Sequence, residues 1–403
     1  MTEANGIYIF ELVLGVLIVA AMFLRVWFGR FGAPSLVGFI LLGFLVRIAN
    51  DTVPFLSQGG LHILEFLAHT GIFILLFRVG LDSNLHGLVS KLPRAAPIWI
   101  GNVALSGVPG YFLCVWGLGL DVVPSMFVAV ALTATSIAVS TEMWGDAGAL
   151  DSADGETLVD VAELDDLSGV SLMVVALAIA PALHIGDGDR VGEVLAEVSL
   201  LLLIKAIGFG ALCILIAKYA ERRIVIALRG TGEPGSALIL IGVGMIIAAI
   251  ASLFGFSLAI GAFFAGLIFS RDPEAVRLET GFVSLRAFFV PFFFIAIGFA
   301  IDPQSLQSGL MIGAVLLIVA VLGKVIGAGL PALLTTGASG ALLIGVSMVP
   351  RAEIAMVIGQ QARDLGDWAM PVEVYSGIAV VSLVTCLTTP FVVRALLRKW
   401  PRG

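Results

Sequence analysis

Apolar runs punctuated by Gly, Pro and charged residues recur along the whole chain, and most are long enough to cross a bilayer as a helix. The pattern predicts thirteen spans, at roughly 7–27, 34–49, 61–81, 95–119, 122–141, 158–184, 194–218, 236–254, 257–270, 283–301, 308–334, 339–362 and 372–396. Several are short or cut by Gly and Pro, which leaves counts of twelve or fourteen open. The connections between them are short, so the fold class expected is an all-α polytopic membrane protein. No large soluble domain is expected at either end.

Composition agrees: 59% of residues are hydrophobic, 13% are charged and the mean hydropathy is +1.09, whereas soluble domains carry roughly 25% charged residues. The net charge of −7 is dispersed, and no basic tract suits nucleic acid. Cys114, Cys213 and Cys386 all fall within apolar runs, where they read as small buried hydrophobes. Residues Met1 to Gly6 lack the basic region of a signal peptide, so the first span is expected to persist.

Basic residues sort by side. Alternating the connections puts fifteen of them, from Arg25 and Arg30 through Arg222 and Arg223 to Lys399 and Arg402, on one side, and Arg47, Arg190 and Arg363 on the other. The positive-inside rule then makes the crowded side cytoplasmic, with the N-terminus outside and the C-terminus inside.

The chain also repeats itself. Gly38-Phe39-Ile40-Leu41-Leu42-Gly43 in the second span is echoed by Gly261-Ala262-Phe263-Phe264-Ala265-Gly266 in the ninth. Leu76-Phe77-Arg78-Val79-Gly80-Leu81-Asp82 in the third is echoed by Phe294-Ile295-Ala296-Ile297-Gly298-Phe299-Ala300-Ile301-Asp302 in the tenth. Both echoes lie seven spans apart, and an odd offset reverses direction. Spans one to six and eight to thirteen then form two repeats of inverted topology, the plan of secondary transporters. Such folds place their substrate at mid-membrane between discontinuous helices in corresponding positions. The fifth span carries Thr133-Ala134-Thr135-Ser136, and its partner, the twelfth, carries Ser347-Met348-Val349-Pro350-Arg351-Ala352-Glu353. Proline removes a backbone donor, and a break of this kind is tolerated where protein or water satisfies the backbone.

The sixth span holds the sharpest anomaly, the adjacent carboxylates Asp165 and Asp166 within an otherwise apolar stretch from Leu158 to Leu183. A charge near the bilayer centre costs at least ~2.5–3.5 kcal/mol unless it is neutralised. Asp166 is the first candidate for ion binding, because carboxylate oxygen suits a small cation and also takes a proton, so the two compete. Thr133, Thr135 and Ser136 are candidates to add hydroxyl or backbone oxygens. Asp165 lies about 100° further round the helix and faces another neighbour; Lys324, near the middle of the eleventh span, is its candidate partner. If that aspartate takes up a cation the lysine loses its partner, which offers a second exchangeable proton. Asp160 and Glu163 share a face one or two turns away; they are candidates for an access funnel or for pairing with Arg351, a role Glu353 could equally fill. Arg351 and Glu353 are otherwise expected to brace the broken helix. Arg78 and Lys205 are expected to pack or pair locally, and His62, His69, His86 and His184 show no metal-ligand spacing. Neither a Walker-type loop nor a nucleophile triad is visible, so neither an ATP-driven pump nor an enzyme is expected.

The ordered set Pro34-Ser35-Leu36-Val37-Gly38, Phe77-Arg78-Val79-Gly80-Leu81, Asp165-Asp166, Gly261 to Gly266, Pro291-Phe292-Phe293-Phe294, Gly323-Lys324 and Pro350-Arg351-Ala352-Glu353 resembles the monovalent cation:proton antiporters. In particular it resembles the bacterial and archaeal sodium/proton antiporters with paired aspartates. The resemblance implies a homodimer in the cell membrane of a prokaryote. Residues 1–94 and 236–305 would form the dimerisation domain (spans 1–3 and 8–10), 191–235 a connector helix, and 95–190 with 306–403 a moving ion-transport core in which two broken helices cross. It implies that Asp166 binds cation and proton, that Asp165 and Lys324 form the neighbouring salt bridge, and that exchange is electrogenic, two protons for one sodium. Arg78 departs from the apolar residue usual there. No cofactor is implied, and no nucleotide-binding regulatory domain is expected. The expected function is sodium/proton antiport by alternating access, with membrane lipids, Na+ (or K+) and H+ as partners. Potassium/proton exchange, a channel, and sodium-coupled symport of an organic anion are the alternatives.

Overall fold

The computed structural model describes residues 3–31, 34–82, 85–185, 208, 211–213, 215–216, 235–253, 258–270, 279–304 and 306–401. Among the described residues the chain is predominantly helical, with no strand. The first seven helices are α1 (Glu3–Arg30), α2 (Ser35–Thr52), α3 (Gln58–Asp82), α4 (Leu85–Phe112, extended by a π-helical turn Leu113–Gly117), α5 (Val122–Thr133), α6 (Ile137–Asp146) and α7 (Ala153–Ile185). The remaining six are α8 (Gly235–Leu253), α9 (Leu258–Phe269), α10 (Glu279–Ala300), α11 (Leu306–Ser347), α12 (Glu353–Leu365) and α13 (Val372–Lys399). Eight of these elements are long and apolar enough to cross a membrane, and α5, α8 and α9 add shorter apolar helices. The expected seventh span with Lys205, and the connector around it, fall almost wholly outside the described residues.

Two predicted boundaries change. The fifth span, read as one element over 122–141, is split into α5 and α6 at 134–136. The eleventh and twelfth spans run on as α11, turned at Gly337 (φ 69°, ψ 178°), a left-handed conformation open to glycine. The twelfth span then breaks between Ser347 and Glu353, at the proline.

The chain divides into two compact units. The first comprises Met1–Leu24, Phe39–Asn84 and Asp189–Ala300. Its helices cross at glycines so closely that a Cβ at Gly43 would overlap the Ile295 carbonyl, and one at Gly298 the Ile40 carbonyl. Likewise a Cβ at Gly266 would overlap the Phe77 carbonyl, and one at Gly80 the Phe263 carbonyl. Ile40 and Gly43 on α2 correspond in the repeat to Phe263 and Gly266 on α9, and Phe77 and Gly80 on α3 to Ile295 and Gly298 on α10. The α2–α10 crossing is thus the α9–α3 crossing made a second time by the other repeat. In hydrocarbon, where lipid is as apolar as leucine, such backbone contact through small residues is what draws helices together.

The second unit comprises Arg25–Gly38, Leu85–Gly188 and Ile301–Gly403. Here α4 and α11 meet through Gly101 and Gly327, each lying against the other's carbonyl. Around them Ile98, Trp144, Leu158, Leu343 and Val393 close an apolar core drawn from α4, α6, α7, α11 and α13. These contacts bring the two broken helices against α7.

Candidate functional site

The site is built where backbone helix ends meet. α5 stops at Thr133 because Ala134 turns extended (φ −66°, ψ 144°); α11 stops at Ser347, three residues before Pro350. Helix C-termini leave carbonyls without intrahelical donors and carry the negative end of the macrodipole. The structure covers these carbonyls from across the break. Arg351 Nε and Nη2 donate to Leu132 O at 3.2 and 2.8 Å, and Nη1 donates to Val349 O at 2.8 Å. Lys324 Nζ donates to Thr133 O. Two buried cations therefore sit at the negative end of α5.

The breaks are also stitched directly to each other. Ser136 N donates to Pro350 O at 2.8 Å, Thr135 Oγ1 to Met348 O at 3.2 Å, and Ser136 Oγ to Glu353 Oε2 at 2.7 Å. Ser140 Oγ donates to Ser347 O, and Trp144 Nε1 to Ser347 Oγ at 2.9 Å. Among the described residues Glu353, one of the candidate partners for Arg351, makes no ion pair with it. Carbonyls hold the guanidinium instead, because a fork of five donors matches several acceptors at once, and Ser136 takes up Glu353. Thr385 and Cys386 of α13 close the segment by contacting Arg351 N (3.2 Å) and Arg351 O (3.1 Å).

α7 brings the paired aspartates to this crossing. One turn beyond them, Gly169 packs within 3.3 Å of Ile354 and 3.6 Å of Ala134, measured from the position a Cβ would take. It touches both broken helices. The two carboxylates have unlike surroundings. Asp165 is fully buried; Lys324, also fully buried, reaches its Oδ2 at 3.0 Å, and Asn102 Nδ2 reaches its Oδ1 at 2.8 Å. Asp166 is half-buried, and among the described residues no hydrogen bond or ion pair reaches its carboxylate. Among the described residues, the charged groups Asp165, Glu353, Lys324 and Glu163 lie near enough to act on it. Asp160, buried, and Glu163, half-buried, lie on the preceding turns of α7. Thr133 Oγ1 donates back to Val130 O at 2.8 Å, so the hydroxyls of Thr133, Thr135 and Ser136 each spend their proton within the crossing and keep lone pairs to offer. Among the described residues, no three His, Cys, Asp or Glu side chains converge as a metal-holding group.

Sequence reading passed over several residues here. Asn102 was the signal available, an amide in the apolar fourth span. Trp99, whose Nε1 donates to Ser168 Oγ at 3.0 Å while Ser168 Oγ donates to Asp165 O at 2.9 Å, had no signal, since a tryptophan in a span reads as packing. Arg78 belongs to α3 of the first unit, half-buried.

Inverted repeats, two interrupted helices laced together, and a half-buried carboxylate beside them define a multi-pass membrane protein of the secondary-transporter kind. The profile of the transmembrane sodium/hydrogen exchanger family matches residues 15–399, and the chain belongs to that family. It is 29% identical over 397 residues to the high-affinity Na+/H+ antiporter NhaS3 of Synechocystis, covering 96% of this chain and 83% of that protein. It is 28% identical to the Na+/H+-K+ antiporter GerN of Bacillus cereus, covering 90% and 89%. In fold it is similar to the sodium proton antiporter MjNhaP1 of Methanocaldococcus jannaschii at pH 8, with a TM-score of 0.67, 14% identity and 98% of each chain covered.

Proposed function

We propose that the protein is a secondary sodium/proton antiporter in which Na+ and H+ compete for the Asp166 carboxylate, made accessible to either side by alternating access. The observation that carries this reading is the contrast between two adjacent aspartates. Each Asp165 carboxylate oxygen accepts a donor, whereas Asp166 is half-buried with none among the described residues. A carboxylate at this depth without a partner is costly unless cargo neutralises it, and a hard monovalent cation and a proton both do so. Exclusive occupancy gives antiport: each ion leaves when the other arrives. Thr133, Thr135, Ser136 and Glu353 supply further oxygens at the crossing, and the Lys324–Asp165 pair takes the second proton of an electrogenic two-for-one exchange. The cycle uses no cofactor. The charge split of the connections supports a C-terminus in the cytoplasm, and the family likeness supports a homodimer in the cell membrane.

The test is sodium-dependent dissipation of a pH gradient in vesicles. Asp166→Ala should abolish it while the protein still folds, because no side-chain hydrogen bond among the described residues is lost; normal transport by Asp166→Ala sinks the proposal. Potassium is the second reading, favoured by relatives such as GerN whose names include K+. Replacing Na+ by K+ in the same vesicles separates the two.

A further inference from the structure

We propose that Asn102 is a specificity-determining positioning residue: by engaging Asp165 Oδ1 while Lys324 engages Oδ2, it keeps the second carboxylate away from the transported ion. This rests on the reading that Asp166 binds the cargo. Two neighbouring carboxylates that were both free would together make a hard, doubly charged oxygen site, the kind that retains divalent cations. A site for a single monovalent ion needs one of them disarmed. Lysine alone leaves Oδ1 open, and its flexible stem also serves the Thr133 carbonyl. The amide closes the remaining side at 2.8 Å.

The orientation of that amide follows from its surroundings, since turning its oxygen toward the carboxylate would set two acceptors face to face. Its position follows from packing. Asn102 is fully buried, and a Cβ on Gly327 would come within 3.1 Å of the Asn102 Cα. Gly327 lies three residues after Lys324 on α11, so both donors to Asp165 are set by one glycine junction between α4 and α11. The amide oxygen has no hydrogen-bond partner among the described residues. Leucine has the same number of heavy atoms and would leave no orphaned acceptor. What asparagine adds here is its N–H toward Asp165.

Asn102→Leu and Asn102→Ala remove that donor, the second with the smaller steric demand. Each is purified, reconstituted, and assayed for Na+-driven proton flux with and without millimolar Ca2+. Affinity at oxygen sites rises with the number of charged ligands, so the KM for Na+ should fall on the order of tenfold as Asp165 joins the ion. Maximal flux should fall as release slows, and Ca2+ should inhibit where the unaltered protein ignores it. Ca2+ should also raise the melting temperature of the purified variants, a reading independent of transport. The double variant Asn102→Leu/Asp165→Asn, which deletes the freed carboxylate, should lose the Ca2+ effect. Unchanged KM with Ca2+ insensitivity overturns the proposal. So does lost flux without any gain in cation stabilisation, Ca2+ inhibition that survives in the double variant, or failure of both single variants to fold. Asp166→Ala in the same vesicles keeps the two readings apart: if it transports, the site assignment fails, and if it is dead while the Asn102 variants behave as the parent, the role of Asn102 alone fails.

Discussion

Lys324→Met is the most informative stability experiment, because it strips a buried anion of its charge partner while preserving length and bulk. Both Lys324 and Asp165 are fully buried, with 3.0 Å between Nζ and Oδ2. At that distance and an effective permittivity of about 20 the attraction is about 5.5 kcal/mol. Removing water from each ion costs several kcal/mol, so the intact pair contributes little net stability. Deleting one member is different: Asp165 keeps its desolvation cost without the attraction, a loss of about 3–5 kcal/mol. With an unfolding entropy of about 2.1 cal/mol/K per residue over 403 residues, each kcal/mol moves the melting temperature by about 1.2 °C. Lys324→Met in detergent should therefore melt about 4–6 °C below the parent. Asp165→Leu/Lys324→Met should recover part of that, the remainder being about 1–3 kcal/mol for the Asn102 donor and the Thr133 carbonyl, both left without these partners. A single variant as stable as the parent, or a double variant no better than the single, refutes the reasoning.

Two further outcomes follow from the same geometry. Arg351→Met abandons three charge-assisted hydrogen bonds to Leu132 O and Val349 O and should lower stability by about 3–5 kcal/mol in thermal melts; Arg351→Lys should not restore it, because one ammonium cannot reproduce the planar fork. Gly80→Ala and Gly266→Ala each drive a methyl into a neighbouring backbone carbonyl and should cost about 1–3 kcal/mol apiece, whereas Gly15→Ala, with open space around it, should be neutral or stabilising by up to about 1 kcal/mol; equal melting of all three would refute the close crossings.

What sequence revealed about this molecule depended on which features leave a linear trace. Span length and hydropathy are such traces, and so is the glycine spacing of the echoes, because a helix crossing demands small residues at a fixed interval. The paired aspartates stood out for the same reason: their cost in hydrocarbon is a property of the residue type. The break in the fifth span was announced by polar residues without a proline, so its extent was underestimated. Hydrogen bonds whose acceptors are backbone carbonyls leave no trace at all. Every carbonyl that Arg351 engages looks like any other in the sequence, and pairing by opposite charge offered Glu353, the wrong partner. Asn102 was visible as a polar residue but had no role until α4 and α7 were brought together.

The glycine junction explains how a symmetric frame came to hold an asymmetric site. Gly101 and Gly327 face one another reciprocally across the α4–α11 crossing, which sets the register of the two repeats at that level. Counting from those glycines, Asn102 corresponds to Ala328, and Lys324 corresponds to Ile98. All four side chains are buried. The same two places therefore carry an amide and an isoleucine on one helix, and an alanine and a lysine on its partner. Had both repeats kept the apolar pair, Asp165 would have no donor at this depth; had both kept the polar pair, a second lysine and a second amide would be buried with no aspartate to meet them, since α7 has no such pair in a partner helix among the described residues. Packing needs the glycines twice, whereas the chemistry needs one lysine and one asparagine. A difference at two positions beside one reciprocal glycine contact turns one aspartate of the pair into a fixed acceptor and leaves the other for the ion.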